Sequence, residues 1–204
     1  MGLRERAFPI WYDAIKAPAE RSWLGERRAR VCGDAVGAVL EIGGGTGANL
    51  PHYLKADRVV VTEPSGAMSA RLSSALDAAA VPVTMSAAPA ERLPYPDESF
   101  DTVVATLVLC SVPDPAVALT EVKRVLRPGG EFRFLEHVRG EGTPGEWQDR
   151  IAPLWRWIAV GCMPNRDLAQ AIGDSGLEIV EIERFAPPGP NWPVSPMIQG
   201  RARR

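Results

Sequence analysis

Apolar runs and amphipathic stripes alternate along this chain, and their order predicts a sheet with helices wound on both sides. Residues 1–35 form an N-terminal helical segment, one or two helices broken at Pro18, with Trp11, Tyr12 and Ile15 on one face. AVLEIG (38–43) is a buried strand, and the glycine-rich stretch after it opens a helix from Gly47 through His52 to Lys55. RVVVTE (58–63) is the second strand. Ser65 then caps a helix with Met68, Leu72, Ala75 and Leu76 on one face. VPVTMSA (81–87) is a short third strand, AERLPYPDESF (90–100) a turn-rich loop, and DTVVATLVLCSV (101–112) a fully apolar fourth strand. Asp114-Pro115 starts a helix that runs to Leu126 and stops at RPGG.

EFRFLEHV (131–138) is the fifth strand. Trp147, Ile151, Leu154, Trp155 and Ile158 lie at helical spacing, interrupted by Pro153, in what reads as a helical cap over 140–165. A further helix spans 166–175. LEIVEIERF (177–185) and VSPMIQGRA (194–202) are two last strands that pair antiparallel across a proline-rich loop. The expected architecture is α/β: a single domain over 1–204, with a doubly wound, mostly parallel seven-stranded sheet and an antiparallel last strand.

Composition narrows the function. The 204 residues are 46% hydrophobic and 24% charged with a net charge of −2, so no basic surplus favours nucleic acid. RARR at the end reads as a solvated basic tail. No stretch has the length and apolarity of a signal peptide core or a membrane span. Cys32, Cys110 and Cys162 are odd in number and far apart, without metal-ligand spacing, so no metal is expected and a reducing cytoplasm is. The N-terminal segment is compatible with peripheral membrane contact, and the chain with a monomer or a homodimer.

VLEIGGGTGANL (39–50) carries the candidate chemistry. Gly43, Gly45 and Ala48 fit the dinucleotide pattern G-x-G-x-x-G/A. Glu41, Gly43, Gly45 and Gly47 equally fit E-x-G-x-G-x-G, the pattern of S-adenosylmethionine (SAM) sites. Glycines let backbone approach a ligand, and the helix expected beyond them favours an anionic group. Glu63 ends the second strand twenty residues after Gly43 and suits the two hydroxyls of a ribose, which either cofactor offers.

The block from AERLP through RVLRPGGEFRFLEHV resembles the class I SAM-dependent methyltransferases, in the ubiquinone-biosynthesis-like (type 11) group. With the glycine turn and Glu63 the resemblance spans about residues 36–138. An antiparallel last pair is what those enzymes add to the sheet, and no second substrate domain supports a dehydrogenase. A narrower likeness, in TLVLCSV, the PLW of the cap, Gly161-Cys162 and Asn165-Arg166, is to the methyltransferase-like 7 thiol methyltransferases and their bacterial relatives.

The resemblance implies SAM as cofactor and a small, apolar methyl acceptor, with a thiol preferred. N- or O-methylation of a phospholipid, quinone or phenolic metabolite is the alternative, and a non-catalytic SAM-binding protein is the alternative of another class. It places Gly43, Gly45, Gly47, Glu41, Asn49 and Tyr12 around the methionine end of SAM. Glu63 and Pro64 fall by the ribose, Ala90 and Glu91 by the adenine, and Leu107 on the wall where the fourth strand ends. Pro89 stands where many relatives have an Asp for the adenine amino group. His137, at the end of the fifth strand, is the candidate general base or orienting group. Trp155, Trp157, Cys162 and Arg166 are candidates for the acceptor pocket, and Cys110 reads as a small buried hydrophobe.

Overall fold

In a computed structural model that describes residues 12–189 and 193–204, seven strands form one sheet in the order β3-β2-β1-β4-β5-β7-β6. They are β1 (Val36–Ile42), β2 (Lys55–Thr62), β3 (Val83–Ser86), β4 (Phe100–Thr106), β5 (Leu126–His137), β6 (Glu178–Phe185) and β7 (Met197–Arg203). β1 to β5 pair in parallel, and β7 lies antiparallel between β5 and β6. Trp11 and residues 190–192 of the proline-rich loop lie outside the described residues.

β1 and β4 are buried on both faces along most of their length, which explains their unbroken apolar runs. β6 is the exposed edge, and Glu178, Glu181, Glu183 and Arg184 blunt it against further strand pairing. Two apolar clusters lie on the two sides of the sheet. One takes Ala118, Leu119 and Val122 of α3 (Pro115–Val125) and Leu168 and Ile172 of α5 (Leu168–Asp174). The other takes Leu24, Val31 and Cys32 of the helical stretch α1 over residues 12–32, and Leu72 of α2 (Gly66–Ala75). The caps are those the sequence predicts. Ser65 accepts from Met68 N–H, and Asp114 accepts from the N–H groups of Ala116 and Val117.

Five local expectations are corrected. α1 does not break at Pro18. It runs on through a π-turn at Glu20–Leu24, where Gly25 N–H bonds the Glu20 carbonyl. No α-helix follows the glycine turn: a single 3-10 turn at Leu50–His52 contains Pro51, and β2 already begins at Lys55. β4 ends at Thr106, because Leu107 adopts φ +58° and turns the chain out of the sheet. Pro153 lies inside α4 (Thr143–Ile158), which stays continuous. RARR is mostly strand, with Arg201 bonded to Glu131 and Arg204 paired with Glu98. Among the described residues no helix is long and apolar enough to cross a membrane.

Candidate active site

β1 and β4 are neighbours whose connections leave in opposite directions, and such a switch point opens a crevice at the carboxyl ends of the strands. The glycine turn forms one wall. Gly43, Gly45 and Gly47 have φ of +66°, +59° and +90°, a region costly for residues with a Cβ. Gly44 N–H bonds the Thr62 carbonyl at 3.0 Å, which stitches the turn to β2. A Cβ at Gly43 or Gly44 would overlap the side chain of Val108 or Val61, and one at Gly47 would lie 2.9 Å from Ala75 Cβ. A Cβ at Gly45 would meet nothing within 4 Å. Packing therefore explains three of these glycines, and Gly45 faces open space. The 3-10 turn is too short to supply a helix dipole, so the expected anion site at a helix N-terminus is absent.

Glu63 sits at the end of β2 against this turn. Its Oε2 accepts from Gly45 N–H and its Oε1 from Ser65 N–H, both at 2.8 Å. Burial raises its pKa, and those two N–H groups oppose the rise. A carboxylate has about four lone-pair sites, so the pair of backbone bonds fixes Glu63 and leaves acceptor capacity.

A buried polar network lies beneath the turn. Glu41 accepts from Asn49 Nδ2 at 2.8 Å and from the Tyr53 hydroxyl at 2.9 Å. Arg28, on α1, donates to Asn49 Oδ1 at 2.8 Å, to Thr106 Oγ1 at 2.9 Å and to Glu20 at 3.0 Å. Burial disfavours the Arg28 charge, yet Glu20 more than offsets this and the pKa is raised. Burial raises the pKa of Glu41, against the bonds from Tyr53 and Asn49. No motif marks Arg28, although Leu24, Arg28, Val31 and Cys32 share the i, i+4, i+7, i+8 spacing of one buried face. α1 also reaches the turn through Asp13, which accepts from Thr46 Oγ1 at 2.8 Å and pairs with Arg71 of α2 at 2.6 Å. Beside it, the Tyr12 hydroxyl accepts from Lys16 Nζ at 2.7 Å.

The opposite wall comes from the ends of β4 and β5. Glu136 is fully buried, and its carboxylate accepts from the N–H groups of Val108, Leu109 and Cys110 at 2.9, 2.9 and 3.4 Å. Burial raises its pKa, opposed first by the Leu109 and Val108 N–H groups. This bond set pins the loop after β4, which also carries Leu107. His137 ends β5 next to Glu136. Its Nδ1 lies 3.5 Å from Cys110 Sγ and 3.7 Å from Cys162 Sγ, and the two sulfurs are 3.8 Å apart. Linear spacing gave no hint of this cluster, because folding alone joins Cys110, His137 and Cys162. The contact with Cys162, then burial, raises the Cys110 pKa. The Cys162 pKa is lowered by the bond from Cys110, against burial and helped by the Trp155 indole and the Lys16 charge.

The cap is held by Gln148 of α4, which is fully buried. Its Oε1 accepts from Gly140 N–H at 2.6 Å, and its Nε2 donates to the carbonyls of Pro193 and Ser195 at 2.8 and 3.1 Å.

The comparisons with known proteins decide the family. Residues 40–134 match a family model described as a methyltransferase domain. The human protein thiol S-methyltransferase TMT1B is 36% identical over 170 residues, covering 81% of this chain and 70% of that one. The chain belongs to the SAM-dependent methyltransferases. The methyltransferase is also 34% identical to phosphatidylethanolamine N-methyltransferase of Cereibacter sphaeroides, over 75% of this chain and 76% of that one. A solved SAM-dependent methyltransferase of Thermotoga maritima, described as a possible histamine N-methyltransferase, shares the fold. Its TM-score is 0.70 at 22% identity, covering 100% of this chain and 99% of that one. The methyl donor is therefore SAM, and the dinucleotide reading of the turn falls away.

Of the residues singled out in the methyltransferase's sequence, Gly43, Gly45, Gly47 and Glu63 converge at the turn, with Pro64 exposed beside them. Glu41 and Asn49 lie beneath it, bonded to each other. Ala90 is buried in the loop after β3, and Glu91 bonds Asp114 N–H at 3.3 Å. Trp155 packs on the core near Cys162, but Trp157 is 63% exposed in a shallow groove with Pro153, Arg156, Val160 and Gly161. Arg166 is committed to the backbone, donating to the Leu109 carbonyl at 2.7 Å and the Pro113 carbonyl at 3.4 Å. It braces the loop after β4.

Gly45→Ala separates the ligand role of the turn from its structural role. The left-handed conformation costs about 1–2 kcal/mol of stability, and the methyl group projects into the space left beside Glu63. SAM affinity measured by calorimetry falls at least about tenfold, equivalent to about 1.4 kcal/mol. An unchanged affinity would remove Gly45 from the SAM site.

Proposed function

We propose that this methyltransferase transfers the SAM methyl group to the sulfur of a small apolar thiol, with the whole chain acting as one unit and 140–165 covering the acceptor. The supporting observation is the extent of the match to thiol S-methyltransferase TMT1B. It spans 170 residues, whereas the methyltransferase domain match spans residues 40–134, so the likeness extends past the SAM-binding half.

SAM supplies a methyl group activated on a cationic sulfonium. The chain supplies position. Glu63, already fixed by Gly45 and Ser65, offers its remaining lone pairs to the ribose hydroxyls. Gly43, Gly45 and Gly47 face the methionine end, and Glu41 acts on it through Asn49. α1 covers that end through Asp13 and Thr46, with Tyr12 alongside. Backbone of Ala90 and Glu91 meets the adenine, and Leu107 forms the wall beside it. An ordinary thiol, with a pKa near about 8.5, is already partly ionised at neutral pH, so alignment is a large share of the task. Nδ1 of His137 faces two sulfurs, so the residue acts on the acceptor through that cluster and not as a lone base. Three buried, unlinked cysteines fit a reducing cytoplasm.

Labelled SAM offered with a panel of alkyl thiols, phenols, amines and phospholipids tests this reading. The expected product is a methyl thioether. The likeness to phosphatidylethanolamine N-methyltransferase favours one competitor, and label on the amine of that lipid with none on thiols would overturn the thiol assignment.

A further inference from the structure

We propose that Cys110, His137 and Cys162 form a zinc site whose fourth coordination position receives the acceptor sulfur. The second half of this statement rests on the thiol reading above, and the first half does not.

The geometry carries it. Zinc takes thiolate sulfur at about 2.3 Å and imidazole nitrogen at about 2.0–2.1 Å in tetrahedral geometry. Those bond lengths place two sulfurs about 3.8 Å apart and a sulfur and nitrogen about 3.6 Å apart. The observed edges are 3.8 Å between the sulfurs, and 3.5 and 3.7 Å from Nδ1 to each. All three edges of one tetrahedral face match, from residues on three separate segments. Two soft thiolates and an imidazole form a donor set suited to zinc. All three side chains are buried, with His137 and Cys162 each keeping 8% of their surface exposed.

The surroundings hold the donors rigidly, as a metal site requires. Glu136 gathers the backbone of 108–110 from below, and Arg166 takes the Leu109 carbonyl from the other side. Met163 N–H bonds the Cys110 carbonyl at 2.8 Å and ties the two cysteine loops together. Directly before Cys162, Val160 and Gly161 adopt φ of +45° and +105°. A β-branched residue is a conformational outlier there, and the strain aims Cys162 at the cluster.

Three protein ligands leave the fourth position open, as in catalytic zinc sites. The cluster lies beside the SAM crevice, since Val108, two residues before Cys110, packs where a Cβ on Gly43 would fall. A thiol binding there loses its proton to solvent and becomes a zinc-bound thiolate. One sulfur lone pair then forms the new S–CH3 bond. The bond from methyl carbon to sulfonium sulfur breaks, and its electron pair stays on what becomes S-adenosylhomocysteine. The neutral thioether is a weak ligand and leaves.

The test uses the full chain, purified reduced and dialysed free of loosely held metal. Elemental analysis is expected to find about one zinc per chain. Cobalt(II) in its place should show thiolate charge-transfer and tetrahedral d–d bands, and an added alkyl thiol should shift the d–d bands. Cys162→Ser should lose the metal while SAM affinity shows it still folds. Cys32→Ala, a buried thiol elsewhere, should keep the metal. Stripping zinc with a chelator should cut thiol methylation at least about tenfold, restored by zinc. No metal in the wild type, or a Cys110–Cys162 disulfide in its place, would overturn the zinc site, and full thiol methylation by protein stripped of its zinc would overturn the metal's acceptor role; each leaves the thiol reading intact. Metal binding with no response to thiols and no thioether product would instead confirm the site and sink its acceptor role.

Discussion

Arg28→Met lowers the free energy of unfolding by about 3 kcal/mol, read from denaturant melts at neutral pH. Breaking a buried ion pair by removing one partner typically costs about 3–5 kcal/mol, because the other partner is left uncompensated. Glu20 keeps partial access to water, which argues for the lower end. The loss reaches further than one pair, since Asn49 Oδ1 loses its donor and Thr106 Oγ1 one of two. Asn49 and Thr106 sit where the glycine turn meets β4, so SAM affinity falls with stability. A stability change below about 1 kcal/mol, the size of an exposed pair, would show that the network beneath the turn is not intact in solution.

Glu63→Ala weakens SAM binding by about 1–3 kcal/mol, from loss of buried hydrogen bonds to the ribose. The pH dependence carries a sign that a simple packing defect lacks. Burial holds the Glu63 carboxyl above the usual carboxylate range. With the ribose held as proposed, the ionised form accepts both hydroxyls, so wild-type affinity is expected to be full above that raised pKa and to decline as pH falls through it. Glu63→Gln binds more weakly near neutrality and is flat across the same acid window. Folding responds the other way. A raised carboxyl pKa contributes stability that is present below the unfolded value and lost as pH rises through the folded one. Equal pH profiles for wild type and Glu63→Gln would show that Glu63 does not face the ribose.

The sheet was legible because its signals are local and repeated. Long apolar runs mark β1 and β4, Asp114-Pro115 marks α3, and alternation marks β6. Errors fell where tertiary structure overrides a local pattern. The apolar run 101–112 looks continuous, yet Leu107 turns it at Thr106 because Glu136 collects the next three N–H groups. Such a carboxylate looks, in FLEHV, like any strand acid. The helix expected after Gly47 fails because Pro51 and the early start of β2 leave no room. At the site, the glycines and Glu63 carry a spacing that one stretch of chain displays. Arg166 and Trp157 were placed by neighbourhood in sequence, and their side chains go to a backbone brace and to an exposed groove. The sulfur–imidazole cluster joins positions 110, 137 and 162, which no linear motif relates.

A structure of the complex with S-adenosylhomocysteine shows where this chain holds its cofactor. Both ribose hydroxyls are expected on Glu63, the amino-acid end along Gly43–Gly47, and the thioether sulfur turned towards Cys110, His137 and Cys162. A nucleoside bound away from Glu63, or a sulfur turned away from that cluster, would contradict that placement.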